Sequence, residues 1–163
     1  MRSETMPGGT AAPKVDEPQR YVSFTVGGEE YGADIKRVQE IKVWDTVTRV
    51  PHTPKYLLGV LNLRGAIVPV LDLRVRFGLD RAPFESTTVI VVLRVPCERG
   101  ERTVGVVVDA VNEVHDIAAD QIQPPPPLAG SSVDQAFIKG IATLNDRMII
   151  VLNIESLISA ATA

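Results

Sequence analysis

The sequence predicts a mainly β protein built as two similar small barrels, and three observations carry that reading. Apolar runs of strand length, rich in Val, Ile and Leu, alternate with turn-forming clusters along most of the 163 residues, a pattern of short covered strands rather than of helices. The second half also repeats the first. When GADIKRVQEI is set over GVVVDAVNEV, Gly32/Gly105, Val38/Val111 and Glu40/Glu113 coincide; when YLLGVLNLRGAIVPVLDL is set without a gap over FIKGIATLNDRMIIVLNI, Gly59/Gly140, Leu63/Leu144, Val70/Val151 and Leu71/Leu152 coincide. Either block alone is what two Val/Ile-rich hairpins give by chance, but two blocks in the same order, each with a shared glycine, mark a duplication. The third observation is the stretch GVLNLRGAIVPVLDLRVRF from Gly59, an apolar hairpin interrupted by one polar notch.

Taken in order, residues 1–18 are Pro-, Gly- and Thr-rich without periodicity and read as a disordered tail. Residues 21–26 alternate as a strand, residues 27–30 turn, and residues 31–35 return. Apolar residues three apart at Ile35, Val38 and Ile41 fit either a helical turn or an irregular strand, and residues 46–50 read as a strand. Thr53 as N-cap, Pro54 behind it and Gly59 at the end mark a single helical turn. In the hairpin, Asn62 and Gly65 occupy the first and fourth places of a type I turn, with Arg64 at the tip. Asp72 is placed to cap a short helix over residues 73–77, closed by Gly78.

Residues 79–87 read as a linker, residues 89–95 as an apolar strand, PCERGER as a polar loop and residues 104–108 as its returning strand. Four prolines from Pro124 form a rigid loop that no interior strand accommodates. A short helix over residues 132–139 ended by Gly140, a hairpin over residues 141–152 and a helix from about Ile154 to Ala160 complete the chain. The second copy's blocks are spaced further apart than the first's, and the proline stretch is the natural place for the extra loop. The reading divides the chain into the tail 1–18, a first barrel 19–84 and a second barrel 85–159, forming one domain overall in which the barrels are free to exchange strands.

Composition narrows the function. The net charge is −3 with no basic block, which speaks against nucleic-acid binding. Cys97 is the only cysteine, so no intrachain disulfide or paired-cysteine metal site is possible. No run approaches the roughly 20 apolar residues of a membrane span, and no signal-peptide segment opens the sequence, so a cytoplasmic protein is expected. His52 and His115 fall at non-equivalent places, one beside prolines and one in an expected polar turn, and both read as surface residues. Cys97 has arginines nearby but no orienting histidine. No phosphate-loop, zinc-protease or nucleophile-elbow motif is present. Neither a catalytic set nor a cofactor or metal site is therefore expected. The hairpin tips differ, Arg64-Gly65 against Asn145-Asp146, and Pro69 faces Ile150. That suits a binding module with two non-equivalent faces.

FTVGGEEYGADIKRVQEI, VTRVPHTPKYLLGVLNLRGAIVPVLDLRVRFG and VGVVVDAVNEVHDI together resemble the CheW family of chemotaxis coupling proteins, over about residues 21–157. The resemblance implies two five-stranded SH3-like barrels and no catalysis. It implies an adaptor that joins the cytoplasmic tip of a chemoreceptor to the regulatory domain of the histidine kinase CheA, monomeric alone and assembled into membrane-associated arrays. The receptor tip is expected in an apolar groove between the barrels, at Val38, Glu40, Gly59, Arg64, Val89, Gly105 and Val114. Asn62, Gly65, Pro69 and Asp72 complete the hairpin signature. The valines and glycines of this set are equally readable as core and turn residues, whereas Glu40 and Arg64 are charges inside an apolar pattern and are expected to pair. The kinase is expected on barrel ends. A coupling protein of a non-flagellar array, controlling pili or gene expression, would carry the same residues. The rival from another class is a small barrel enzyme using Asp72, Arg64 and His52.

Overall fold

The computed structural model describes residues 19–80, 83–98, 100–125 and 135–162. Its strands are β1 (Gln19–Val26), β2 (Glu29–Asp34), β3 (Val38–Val43), β4 (Leu57–Leu63), β5 (Ala66–Asp72), β6 (Val89–Cys97), β7 (Gly100–Val108), β8 (Ala110–Ile117), β9 (Ile122–Gln123), β10 (Ile138–Leu144) and β11 (Arg147–Leu152). Helix α1 (Leu73–Arg76) follows β5 and α2 (Ile154–Thr162) follows β11. The fold is mainly β, as the patterning predicts. One sheet has the order β9-β10-β11-β2-β1-β8 and the other β3-β6-β7-β5-β4.

All strand pairs are antiparallel except one join in each sheet. β11 meets β2 through Ile150–Tyr31 and Val151–Gly32, and β5 meets β7 through Val70–Gly105, Leu71–Val106 and Asp72–Val107. The pairs Val151–Gly32 and Val70–Gly105 join residues that the internal alignment makes equivalent, so both copies use one register. Neither sheet belongs to one half of the chain. The first hairpin of each copy, β1–β2 or β6–β7, is built into the sheet that holds the later strands of the other copy. This reciprocal exchange explains the unbroken apolar run in β6. Its Val91, Leu93 and Val95 face the core shared by both sheets, while Ile90 and Val92 face a smaller core with Leu58, Val68 and Val70. A third cluster, Tyr21, Ile117, Ala142 and Val151, fills the other sheet's concave side.

Each sheet curls until its edges meet. Thr48 exchanges backbone hydrogen bonds with Val60 of β4, at 2.9 and 2.8 Å, and β9 does the same for the other sheet by pairing with Ala142 and Ile141 of β10. The shared glycines make room for this closure. A Cβ on Gly59 would lie 2.2 Å from the Thr48 carbonyl oxygen, and one on Gly140 2.6 Å from that of Gln123.

Several expected elements change. The strand expected over residues 46–50 shrinks to the single bridge at Thr48. The helical turn expected from Thr53 to Gly59 is absent: the Thr53 hydroxyl donates back to the Val50 carbonyl, and β4 has begun by Leu57. The cap-like spacing was overridden by the pairing of β4 with β5. Residues 35–41 combine both readings, a 3-10 turn over Ile35–Arg37 followed by β3. PCERGER is mostly strand, with register running from Val89–Val108 to Cys97–Gly100. β3 stops pairing with β6 at Leu93, so Pro96 faces a free edge where its missing N–H leaves no ladder bond unmade. The helix expected over residues 132–139 is a 3-10 turn at Gln135–Phe137 that passes directly into β10, while its start lies outside the described residues. So do the tail 1–18 and part of the proline loop.

Candidate functional site

The hairpin β4–β5 pairs Leu63 with Ala66, so its loop is the two residues Arg64 and Gly65 rather than a type I turn centred one residue earlier. Both have left-handed φ, 51° and 91°, as a primed hairpin turn requires to match the twist of its strands. The Asn62 side chain accepts from the Gly65 N–H at 2.9 Å and closes the turn. Arg64 does not project freely. Its Nη2 donates to Oε2 of Glu40 on β3, tying the hairpin tip to the strand at the opposite edge of the same sheet, as the sequence suggested. Beside the tip lies a groove lined by Gln39, Leu63, Ile67, Val68, Arg94 and Thr103.

Six of the seven expected receptor-facing residues lie on this five-stranded sheet, and Val114 lies on the other. Val38 and Val89 are partly buried against the shared core, at opposite ends of the β3–β6 pairing. Gly59 admits Thr48, and a Cβ on Gly105 would meet Ile90 Cγ2 at 2.9 Å. For these four the packing role is evident. Val114, on β8 opposite Val22, is 51% exposed. Pro69 sits in β5 just before the parallel join begins at Val70. Asp72 is buried, and its carboxylate accepts from the Arg74 N–H at 3.0 Å to cap α1. Asn153 accepts from the Ser156 N–H at 3.1 Å, one residue further on, and caps α2.

Comparing the two copies exposes residues that motif reading missed. The tip Asn145-Asp146 repeats the left-handed turn, with φ of 47° and 70°, and an arginine is present after all, two places later. Arg147 donates to Glu113, the counterpart of Glu40, at 3.2 Å and to Glu30 at 3.0 Å. His115, expected in a polar turn, is on β8 instead, with its Nε2 3.2 Å from Arg147 Nη2. Each barrel also bares two large apolar side chains at equivalent positions: Ile41 (43% exposed) and Ile67 (65%) on one, Val114 (51%) and Met148 (61%) on the other. The internal alignment already set Ile41 over Val114 and Ile67 over Met148, and that was the available signal.

Among the described residues, no group of three His, Cys, Asp or Glu side chains could hold a metal ion, and no helix is long and apolar enough to cross a membrane. The pKa of Tyr31 is raised above the ordinary 10.0 by burial and, secondarily, by the Glu29 carboxylate.

Comparison with known proteins places this geometry. The CheW-like domain family matches residues 20–162. The chemotaxis protein CheW of Klebsiella aerogenes is 44% identical, over 87% of this chain and 82% of its own; that of Rhizobium meliloti is 37% identical, over 83% and 84%. Among solved structures, the scaffolding protein TtCheW of Thermoanaerobacter tengcongensis superposes with a TM-score of 0.77 at 37% identity, covering 86% of this chain and 87% of that one. The two hairpin-tipped barrels with interchanged strands are thus the CheW architecture, and the chain belongs to the CheW family of chemotaxis scaffolds.

Proposed function

We propose that this chain is a non-enzymatic adaptor that joins the cytoplasmic tip of chemoreceptors to the regulatory domain of the kinase CheA, from the cytoplasmic side of membrane-associated arrays. The receptor tip contacts the Arg64 hairpin and neighbouring β3, with Glu40 orienting the arginine, and lies along the groove between the barrels where Val38, Val89 and Val114 contribute apolar surface. Gly59 and Gly105 act there indirectly, by letting the strands close. The kinase domain docks on the exposed pair Ile41/Ile67 of one barrel and on Met148 of the other.

The observation that carries this reading is Arg64 itself. A β-hairpin tip prefers Asn or Gly at left-handed φ, and the second copy uses Asn145 there. An arginine kept in that conformation and aimed by a carboxylate is a contact group rather than a folding group. The same geometry disfavours the barrel-enzyme reading, because Asp72 is buried as a helix cap and Arg64 is held on Glu40. The test is a pull-down of the chain with a receptor cytoplasmic fragment and with a CheA regulatory domain from the same organism. Binding of both is expected, and binding of neither overturns the proposal.

A further inference from the structure

Arg76, at the end of α1, lies against two aromatic rings. Its Cζ lies 4.8 Å from the centre of the Tyr56 ring and 4.6 Å from that of Phe137. Those two aromatic residues are counterparts in the internal alignment, and their backbones confirm it. The Tyr56 carbonyl accepts from the Asp72 N–H and the Phe137 carbonyl from the Asn153 N–H, each at 2.7 Å. The guanidinium thus lies about equally far from two rings that are equivalent in the two copies. Tyr56 leads into β4 of the five-stranded sheet and Phe137 into β10 of the six-stranded one, so the cation joins the two.

Extending the ungapped alignment sets Arg76 over Leu157, which is fully buried in the shared core. The two copies thus fill equivalent positions with different side chains. The arginine is the costlier solution, because its buried Nε has no hydrogen-bond partner among the described residues. What it gains over leucine is direction. A cation is attracted to the face of a ring, not to its edge, so two rings that each turn a face to the one Cζ are constrained in angle as well as distance. Apolar packing alone has no such angular preference.

We propose that Arg76 is the positioning residue that sets the angle between the two barrels, and with it the relative orientation of the exposed faces Ile41/Ile67 and Val114/Met148. Its importance for joining two partners at once rests on the adaptor reading; the angle itself does not.

The experiment measures the angle in the free, full chain. Spin labels at Val43→Cys and Met148→Cys, one per sheet and both exposed, in a Cys97→Ser background report the inter-barrel distance by pulsed electron resonance. The native chain should give one narrow distribution. Arg76→Leu, the residue of the other copy, should at least double its width while the melting temperature stays level or rises, a combination that loss of stability alone does not produce. Arg76→Lys keeps the stem and the charge without the plane and should also broaden the distribution. A native distribution in Arg76→Leu, or in Arg76→Lys should the leucine variant not fold, overturns the proposal. Binding of receptor fragment and kinase domain is then read on the unlabelled chains, singly and together. Arg76→Leu should bind each alone as the native chain does and lose the joint complex, whereas a native chain that binds neither indicts the adaptor reading instead.

Discussion

Arg64 shows how a single residue separates folding from function. A non-glycine residue at left-handed φ costs about 1–2 kcal/mol, whereas an ion pair in which the arginine is 68% exposed contributes about 0.2–1 kcal/mol. The pair does not offset the strain, so Arg64→Asn is expected to leave the melting temperature unchanged or higher. Its affinity for a receptor fragment should nonetheless fall about tenfold, the worth of roughly 1.4 kcal/mol at an interface. Calorimetry of folding and binding on one sample checks both halves. Reversing Glu40 or Arg64 alone should weaken coupling, and the double reversal should restore part of it; simply additive losses would show that the two act independently. Tyr31 gives a pH signature. Its pKa is raised in the folded state, so above pH 10 the unfolded chain releases a proton that the folded chain retains, and stability falls as pH rises. The contribution is intact below pH 10. Tyr31→Phe should flatten the alkaline limb of the stability curve, with little effect at neutral pH.

At the scale of elements, the sequence was most legible where a local rule and the tertiary structure agree. Asp72 capping α1 and Gly27-Gly28 turning β1 into β2 needed nothing beyond spacing and turn chemistry. The Glu40–Arg64 pairing was legible too, from two charges misplaced in an apolar pattern. The misreadings share one cause. The Thr53–Gly59 segment has the punctuation of a helix, and β8, the strand of residues 110–117, has the polarity of a turn, yet pairing with β5 makes residues 57–59 strand and pairing with β1 holds β8 extended. Arg147 escaped notice because its partners Glu30, Glu113 and His115 come from β2 and β8, far away in sequence. The closure glycines permit a direct test. Gly59→Ala and Gly140→Ala should each destabilise by about 1–3 kcal/mol or more, since the added carbon meets backbone rather than a mobile side chain; denaturant melts would show it. The joints between elements are also polar. Arg74 of α1 donates to Asp109, which accepts from the Gly27 N–H at 2.9 Å, whereas across the molecule Glu155 of α2 reaches Arg37 at 3.6 Å with the charges interchanged.

For the whole molecule, the duplication was readable and the exchange of hairpins was not. Residues such as Val22, Val91 and Val106 are buried whether a hairpin joins its own copy or the other, so hydrophobic pattern alone cannot choose between the two arrangements. The choice has a measurable result. Because both sheets draw strands from both halves, fragments cut between residues 84 and 85 should be unfolded separately and regain structure when mixed. Circular dichroism of each fragment and of the equimolar mixture distinguishes this from two autonomous barrels, which would fold alone.

The parallel join of β2 to β11 reaches beyond the finished fold, into synthesis on the ribosome. When β1 and β2 emerge, their eventual neighbours β8 and β11 have not yet been translated, so a hairpin carrying Val22, Phe24 and Tyr31 waits with both edges unpaired. At about 5–20 residues per second that wait is on the order of ten seconds, long compared with the microseconds in which a hairpin forms. The nascent chain is therefore most vulnerable at its beginning. Holdase chaperones acting at the exit tunnel, rather than conditions applied to the released protein, should govern how much of it reaches the soluble state.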